Sequence, residues 1–247
     1  MKNKMPETAV YETDVQPDFS CRTGALFVHG CKPWNQKPYG AEAAIPNIIE
    51  IHKHAEANGW KILGSVDRHF YEDAELIRNT GGTFQDHCMN GTQGQLRIPE
   101  LEPQKDIYIR SKDGPRMGAR TYTEQELEDY LESEMQIIFE KQSYDVATNP
   151  NFKPTFQMAV RKGLIRTINN GFGTDYCDKA AVLSQLKFGR EINPDFEVYI
   201  VTDAIEEVNI DFSGKVDMNF GKSALEEMAR AGARLITTKD VLEGKFK

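Results

Sequence analysis

Residues 171–177 read Gly-Phe-Gly-Thr-Asp-Tyr-Cys and run directly into Asp-Lys-Ala-Ala-Val-Leu, a helix-like stretch. Cys177 is thereby delivered to the first turn of a helix from a glycine-containing strand end. Free N–H groups and the positive end of the helix dipole favour an anion there, so Cys177 is expected to titrate below the roughly 8.5 of a free thiol. Either Thr174 or Asp175 is a competent N-cap. A thiol nucleophile also needs a proton carrier and a cation that stabilises the thiolate. Two other strand ends offer them. The run Thr8–Thr13 is strand-like and stops at Pro17, which leaves Asp14 at its C-terminal edge. The strand-like run Gln136–Phe139 is followed by Glu140 and Lys141. In an open parallel sheet the carboxyl edges of the strands form the ligand crevice, so an acid, an amine and a thiol all face one side.

A third run, Trp60–Val66, ends at Asp67-Arg68-His69. Residues two apart in an extended chain project to the same face, so Asp67 and His69 are placed to grip one divalent ion. His87 supplies a second imidazole after a loop. Phe19 and Phe84 are candidate walls for a flat substrate ring.

The pieces Asp14-Val-Gln-Pro-Asp-Phe19, Val66-Asp67-Arg68-His69, Asp86-His-Cys-Met-Asn-Gly-Thr92, Glu140-Lys141 and Gly171-Phe-Gly-Thr-Asp-Tyr-Cys177 occur in the order seen in the isochorismatase-like cysteine hydrolases. The set resembles the nicotinamidases most, over roughly residues 8–100 and 136–240. The resemblance implies a catalytic triad of Asp14, Lys141 and Cys177. It implies an oxyanion hole from the backbone N–H groups of Gly173 and Cys177, with a cis peptide between Phe172 and Gly173. It also implies hydrolysis of the C–N bond of a small carboxamide, nicotinamide first, through a thioester. For the metal it implies zinc first, with iron or manganese as alternatives, held by Asp67, His69 and His87. Glu75 falls near the family's variable fourth ligand, where a His is common in some members, and Glu72 is equally reachable. A set richer in oxygen would tilt the site away from strict zinc preference.

Two other functions stay open at this stage. One is a related hydrolase of an N-carbamoyl or ureido compound or another amide. The other is a non-catalytic binding domain, whose expected sign is a missing triad member, and none is missing. Isochorismate hydrolysis is disfavoured because the chain keeps both the cysteine and the Asp-x-His pair. Family members commonly form dimers or tetramers, so a homo-oligomer is expected.

The elements that must position these residues alternate. Ile45–Asn58 has helical periodicity and stops at Gly59; Phe156–Lys162 stops at Gly163; Leu164–Asn169 is strand-like; Phe196–Thr202 is a buried-type strand; Lys222–Ala231 is a helix closed by Gly232; Arg234–Thr237 is a last short strand. Such alternation predicts an α/β fold, a three-layer α/β/α sandwich around a mostly parallel, Rossmann-like sheet. Two stretches fall outside it. Within Arg22–Tyr39, Gly24–His29 reads as a small hairpin strand. The insertion at about 101–135, Leu101 to Met135, is long for a connection and is expected to roof the pocket or form an interface arm. Within it Asp106–Arg110 is strand-like, and Thr123–Glu134 is a charged helix with Thr123 and Glu126 as a capping box.

At 247 residues and 39% hydrophobic the chain can bury a full core as one domain, 1–247. A net charge of −8 argues against a nucleic-acid partner, which needs a basic patch. Its acidity concentrates in Glu124–Glu134. Four cysteines, Cys21, Cys31, Cys88 and Cys177, lack regular spacing, and no signal peptide or membrane-length apolar run is read, so a reducing cytoplasm and no membrane partner are expected. His52 and His54 read as surface residues of the helix-like stretch.

Overall fold

The computed structural model describes residues 5–33 and 39–246, so 34–38 of the Arg22–Tyr39 stretch lie outside the described residues. Seven strands form the sheet: β1 Thr8–Thr13, β2 Lys61–Asp67, β3 Asp106–Ile109, β4 Gln136–Lys141, β5 Arg166–Phe172, β6 Glu197–Glu206 and β7 Arg234–Ile236. Their order is β3-β4-β2-β1-β5-β6-β7 and every pairing is parallel. The helices are α1 Pro17–Ser20, α2 Ala41–Ala57, α3 Glu124–Glu132, α4 Phe152–Arg161, α5 Lys179–Arg190, α6 Phe220–Ala231 and α7 Thr238–Leu242.

Side chains of a strand alternate between faces, and here they feed two cores. Tyr11, Leu63, Phe139 and Ile200 pack with Leu127, Phe156 and Leu186 from α3, α4 and α5. Val10, Ile62, Ile168 and Val201 pack with Ile48 and Ile51 of α2 and Val241 of α7. Each fully buried aliphatic of this kind stabilises by about 1.5–3 kcal/mol. All six residues of β1 and all six of β4 are buried, as strands covered on both faces require. The sandwich expected from the alternating pattern is the one observed.

Three expectations need correction. His52 is not a surface residue: it lies on the sheet side of α2 next to Ile51, and its Nδ1 sits 2.9 Å from Glu12 Oε1. Glu12 is an acid inside a fully buried strand, so it must find partners, and His52 and Arg97 are those partners. His54 is half-buried. Gly24–His29 is not a strand. It follows α1 as a turn-rich cover, tied back by Leu26 N–H donating to Asp18 O at 3.0 Å and Val28 N–H to Phe19 O at 2.9 Å.

The third correction concerns Leu101 to Met135. Its strand-like run becomes the edge strand β3, and its helix becomes α3, closed by the expected Thr123–Glu126 capping box. A parallel β3–β4 pair needs a crossover of this length, and α3 buries Leu127 and Leu131 against the sheet. The segment is therefore a βα unit of the sandwich, not a pocket roof.

Candidate active site

The carboxyl edges of β1, β2, β4 and β5 lie side by side. Thr13 is in register with Ser65 and with Gly171, and Asp67 with Lys141. Just past β1, Asp14 adopts φ 50, a left-handed conformation that Asp tolerates better than most residues. Its N–H closes the β1–β2 ladder on Ser65 O at 2.9 Å, and its Oδ1 accepts from Ser65 Oγ at 3.0 Å. The ladder then continues through a side chain. Gln16 Nε2 donates to Asp67 O at 2.8 Å, and Asp67 N–H donates to Gln16 Oε1 at 2.8 Å. At Gly171, φ is 120 and a Cβ would stand 2.0 Å from Thr13 O, so only glycine lets β5 approach β1 here.

Lys141 is at the centre of the crevice and 0% exposed. Its Nζ lies 2.8 Å from Asp14 Oδ2 and 3.5 Å from Cys177 Sγ, and it pairs with Asp67. Burial opposes its charge, but Asp14 and Asp67 hold the ammonium well above the usual lysine range. Burial also opposes the charge of Asp67, which Lys141, His69 and His87 nonetheless keep well below the usual carboxylate range. Burial raises the Asp14 carboxyl despite Lys141. On the opposite face Arg68 Nη1 meets Glu140 Oε2 at 2.9 Å, which fixes the alternation of both strand ends.

Cys177 is brought to this group, but not as a thiol of lowered pKa. Burial pushes it well above the ordinary value, against the pull of Lys141 and with the added repulsion of Asp14 and Asp67. The helix start also differs from expectation. A π-helical turn, Thr174–Asp178, precedes α5, and neither Thr174 nor Asp175 caps it. Asp175 instead accepts from Val208 N–H at 2.9 Å and Asn209 N–H at 2.7 Å, which fastens residues 208–210 over the crevice. The Phe172–Gly173 peptide is cis.

Asp67, His69, Glu75 and His87 form a second group, with one donor atom of each within 4.8 Å of the others. His87 Nδ1 is bonded to Gln85 O at 2.6 Å and His69 Nδ1 to Asp73 Oδ2 at 3.2 Å, so both Nε2 atoms turn toward Asp67 Oδ2, at 3.4 and 3.8 Å. His69 Nε2 is buried with no hydrogen-bond partner among the described residues. Two imidazole nitrogens and two carboxylates around such an atom fit a divalent ion. Glu72 is turned outward to Arg116 at 3.6 Å and does not join the group. Asp14, Asp67 and Cys177 also converge, but the Lys141 ammonium supplies the cation there.

Both groups open on a cavity of about 380 Å³. Phe19 and Phe84 line it, as do Gly173 and Cys177, and Tyr144 and Tyr176 complete an aromatic wall. The turn-rich segment from Arg22 to Cys31 lines its outer part, and no residue of Leu101–Met135 is among the lining residues.

Sequence reasoning missed Tyr144, Tyr176, Gln16 and Asp18. Asp18 accepts from Cys88 N–H at 2.6 Å and Ala25 N–H at 3.2 Å, so it joins the His87 turn to the cavity's cover. Gln16 and Asp18 sit inside the Asp14–Phe19 motif, which was the available signal.

The family model described as Isochorismatase domain matches residues 8–135. A search of curated proteins returned no match. Among solved structures, a pyrazinamidase of Pyrococcus horikoshii in complex with zinc is 23% identical, with a TM-score of 0.60 over 94% of this chain and 99% of that one. A nicotinamidase/pyrazinamidase of Acinetobacter baumanii is 17% identical, with a TM-score of 0.65 over 97% and 100%. An N-carbamoylsarcosine amidase from Thermoplasma acidophilum is 17% identical, with a TM-score of 0.60 over 94% and 97%. At these identities the likeness is one of fold.

Proposed function

The chain belongs to the isochorismatase family of hydrolases, and on that premise we propose that it is a cysteine-dependent amidohydrolase of a small carboxamide, with nicotinamide the leading substrate. The observation that carries this reading is the buried Lys141 ammonium, 2.8 Å from a carboxylate whose proton affinity is raised and 3.5 Å from the thiol. Cys177 rests as a thiol. Asp14 takes its proton as sulfur bonds to the carbonyl carbon, and Lys141 offsets the charge that develops on sulfur. The oxyanion is received by the N–H groups of Gly173 and Cys177. Asp14 returns the proton to nitrogen as the C–N bond breaks, and ammonia leaves a thioester. Water then attacks the thioester, Asp14 takes its proton, and the thiol is regenerated as the carboxylic acid departs.

The aromatic walls suit a flat ring. Asp67, His69, Glu75 and His87 would hold a divalent ion, which when bound supplies a Lewis-acid contact for a ring nitrogen or a water. Neither zinc, iron nor manganese is singled out by a set of two nitrogens and two carboxylates. A second reading, an N-carbamoyl acid, draws on Arg22, which lines the cavity and whose guanidinium, paired here with Glu42, would meet a substrate carboxylate. The dimer or tetramer expected from the family is a separate proposal.

Ammonia release from nicotinamide, pyrazinamide and N-carbamoyl amino acids, compared with Cys177→Ala, tests the reading. Turnover of a ring amide that is abolished in the variant supports it. Preference for the carbamoyl acids transfers it to the second reading, and equal activity in Cys177→Ala removes the mechanism.

A further inference from the structure

Asp73 is buried behind the metal-binding group and is not one of its four members. Its Oδ2 accepts from Phe70 N–H at 2.8 Å and lies 3.2 Å from His69 Nδ1. Its Oδ1 pairs with the ammonium of Lys112, and its main-chain oxygen accepts from Asn79 Nδ2 at 2.8 Å. Lys112 comes from the segment after β3, at the far edge of the sheet, and its ammonium also lies 4.9 Å over the Phe70 ring.

A carboxylate behind a ligating imidazole does two things. It holds the proton on Nδ1, so the lone pair stands on Nε2, and it makes that lone pair more basic. In His69 the Nε2 atom is the buried one that faces Asp67 without a hydrogen-bond partner. We propose that Asp73 is the positioning residue of the metal centre and Lys112 its counterweight, the carboxylate strengthening ion binding through His69 and the ammonium weakening it. This rests on the metal reading of the Asp67, His69, Glu75 and His87 group.

The two signs follow from charge and from what remains after each substitution. Asp73→Asn keeps the shape but removes the charge that polarises the imidazole. Lys112→Met keeps an apolar stem on Phe70 and removes the positive charge that offsets Asp73. Asp73 stays in place in that variant, because both contacts of Oδ2 survive.

Zinc(II) affinity of the full chain, stripped by a chelator and titrated against a fluorescent competitor, tests the pair, with melting of the metal-free protein measured alongside. Asp73→Asn is expected to weaken binding about 10- to 100-fold. Lys112→Met is expected to tighten it severalfold with little change in metal-free melting, and Lys112→Arg to restore the parent value. Unchanged affinity in Asp73→Asn, or unchanged or weaker affinity in Lys112→Met, overturns the proposal. A parent chain that takes up no zinc, iron or manganese overturns the metal reading beneath it, an outcome visible before any variant is made. Should Asp73→Asn fail to fold, Lys112→Met decides, since its side chain is 17% exposed and outside the main cores.

Discussion

Lys141→Met removes the ammonium that holds Asp14 and Asp67 together and leaves a side chain of similar length in its place. Two carboxylates, 0% and 1% exposed, then lose their counter-charge. Breaking a buried pair in this way costs about 3–5 kcal/mol. In a chain of this size each kcal/mol lowers the melting temperature by about 2–4 °C, so the fall is roughly 6–20 °C. The deficit must depend on pH. Burial already raises the Asp14 carboxyl, and without Lys141 the main opposing pull is gone, so its folded pKa rises further above the unfolded one. A carboxyl raised by folding favours the folded state when protonated; that contribution is present at low pH and lost as pH rises through the folded pKa. The variant should therefore recover part of its deficit relative to the parent on going from neutral to mildly acidic pH. Urea unfolding of metal-stripped protein at neutral and at mildly acidic pH measures this, with equal m-values as the check that stability alone has changed. A deficit below about 1 kcal/mol, or the same deficit at both pH values, refutes the reasoning.

Three further outcomes are expected. Alkylation of Cys177, followed by peptide mapping to separate it from exposed Cys21, should show a midpoint above about 8.5, and a midpoint below that value would restore the helix-start argument. Gly171→Ala places a Cβ 2.0 Å from Thr13 O at φ 120 and should cost about 3 kcal/mol or more in chemical unfolding, where a cost under about 1 kcal/mol would mean β1 and β5 separate easily. Replacing 101–135 by a short linker removes β3 and the buried Leu127 and Leu131, so loss of cooperative melting is expected; a cooperative protein with altered substrate selectivity would bring back the roof.

The convergence of Asp14, Lys141 and Cys177 was legible because strand ends, glycines and residue types all point the same way, to adjoining carboxyl edges. Glu75 over Glu72 was not decided by sequence, since both lie within reach of His69 and only the turn after Phe70 aims one inward. The thiol's proton affinity was misjudged because a helix start can be recognised in one dimension while depth beneath a cover cannot. His52 was misplaced for a related reason. The clue was Glu12, an acid in the middle of an apolar strand, whose need for a buried partner lies 40 positions away. The cover of the cavity was assigned to Leu101–Met135 on length alone, whereas that length is used to cross between two parallel strands, and the short segment after α1 does the covering.

Gln16 has a consequence for how the crevice holds together in time. Its amide satisfies both the N–H and the C=O of Asp67, so the sheet gains one more rung after the β1 main chain has turned away. The turning chain is free to aim the Asp14 carboxylate, and the strand that carries Asp67 is not left to fray. The Asp67 amide should accordingly exchange its hydrogen with solvent as slowly as amides inside the sheet, only through openings that break the core, although no neighbouring backbone pairs with it on that side. A strand end that would ordinarily be the loosest part of a sheet is thereby made as persistent as its middle, at the place where the acid, the ammonium and the thiol must keep their spacing.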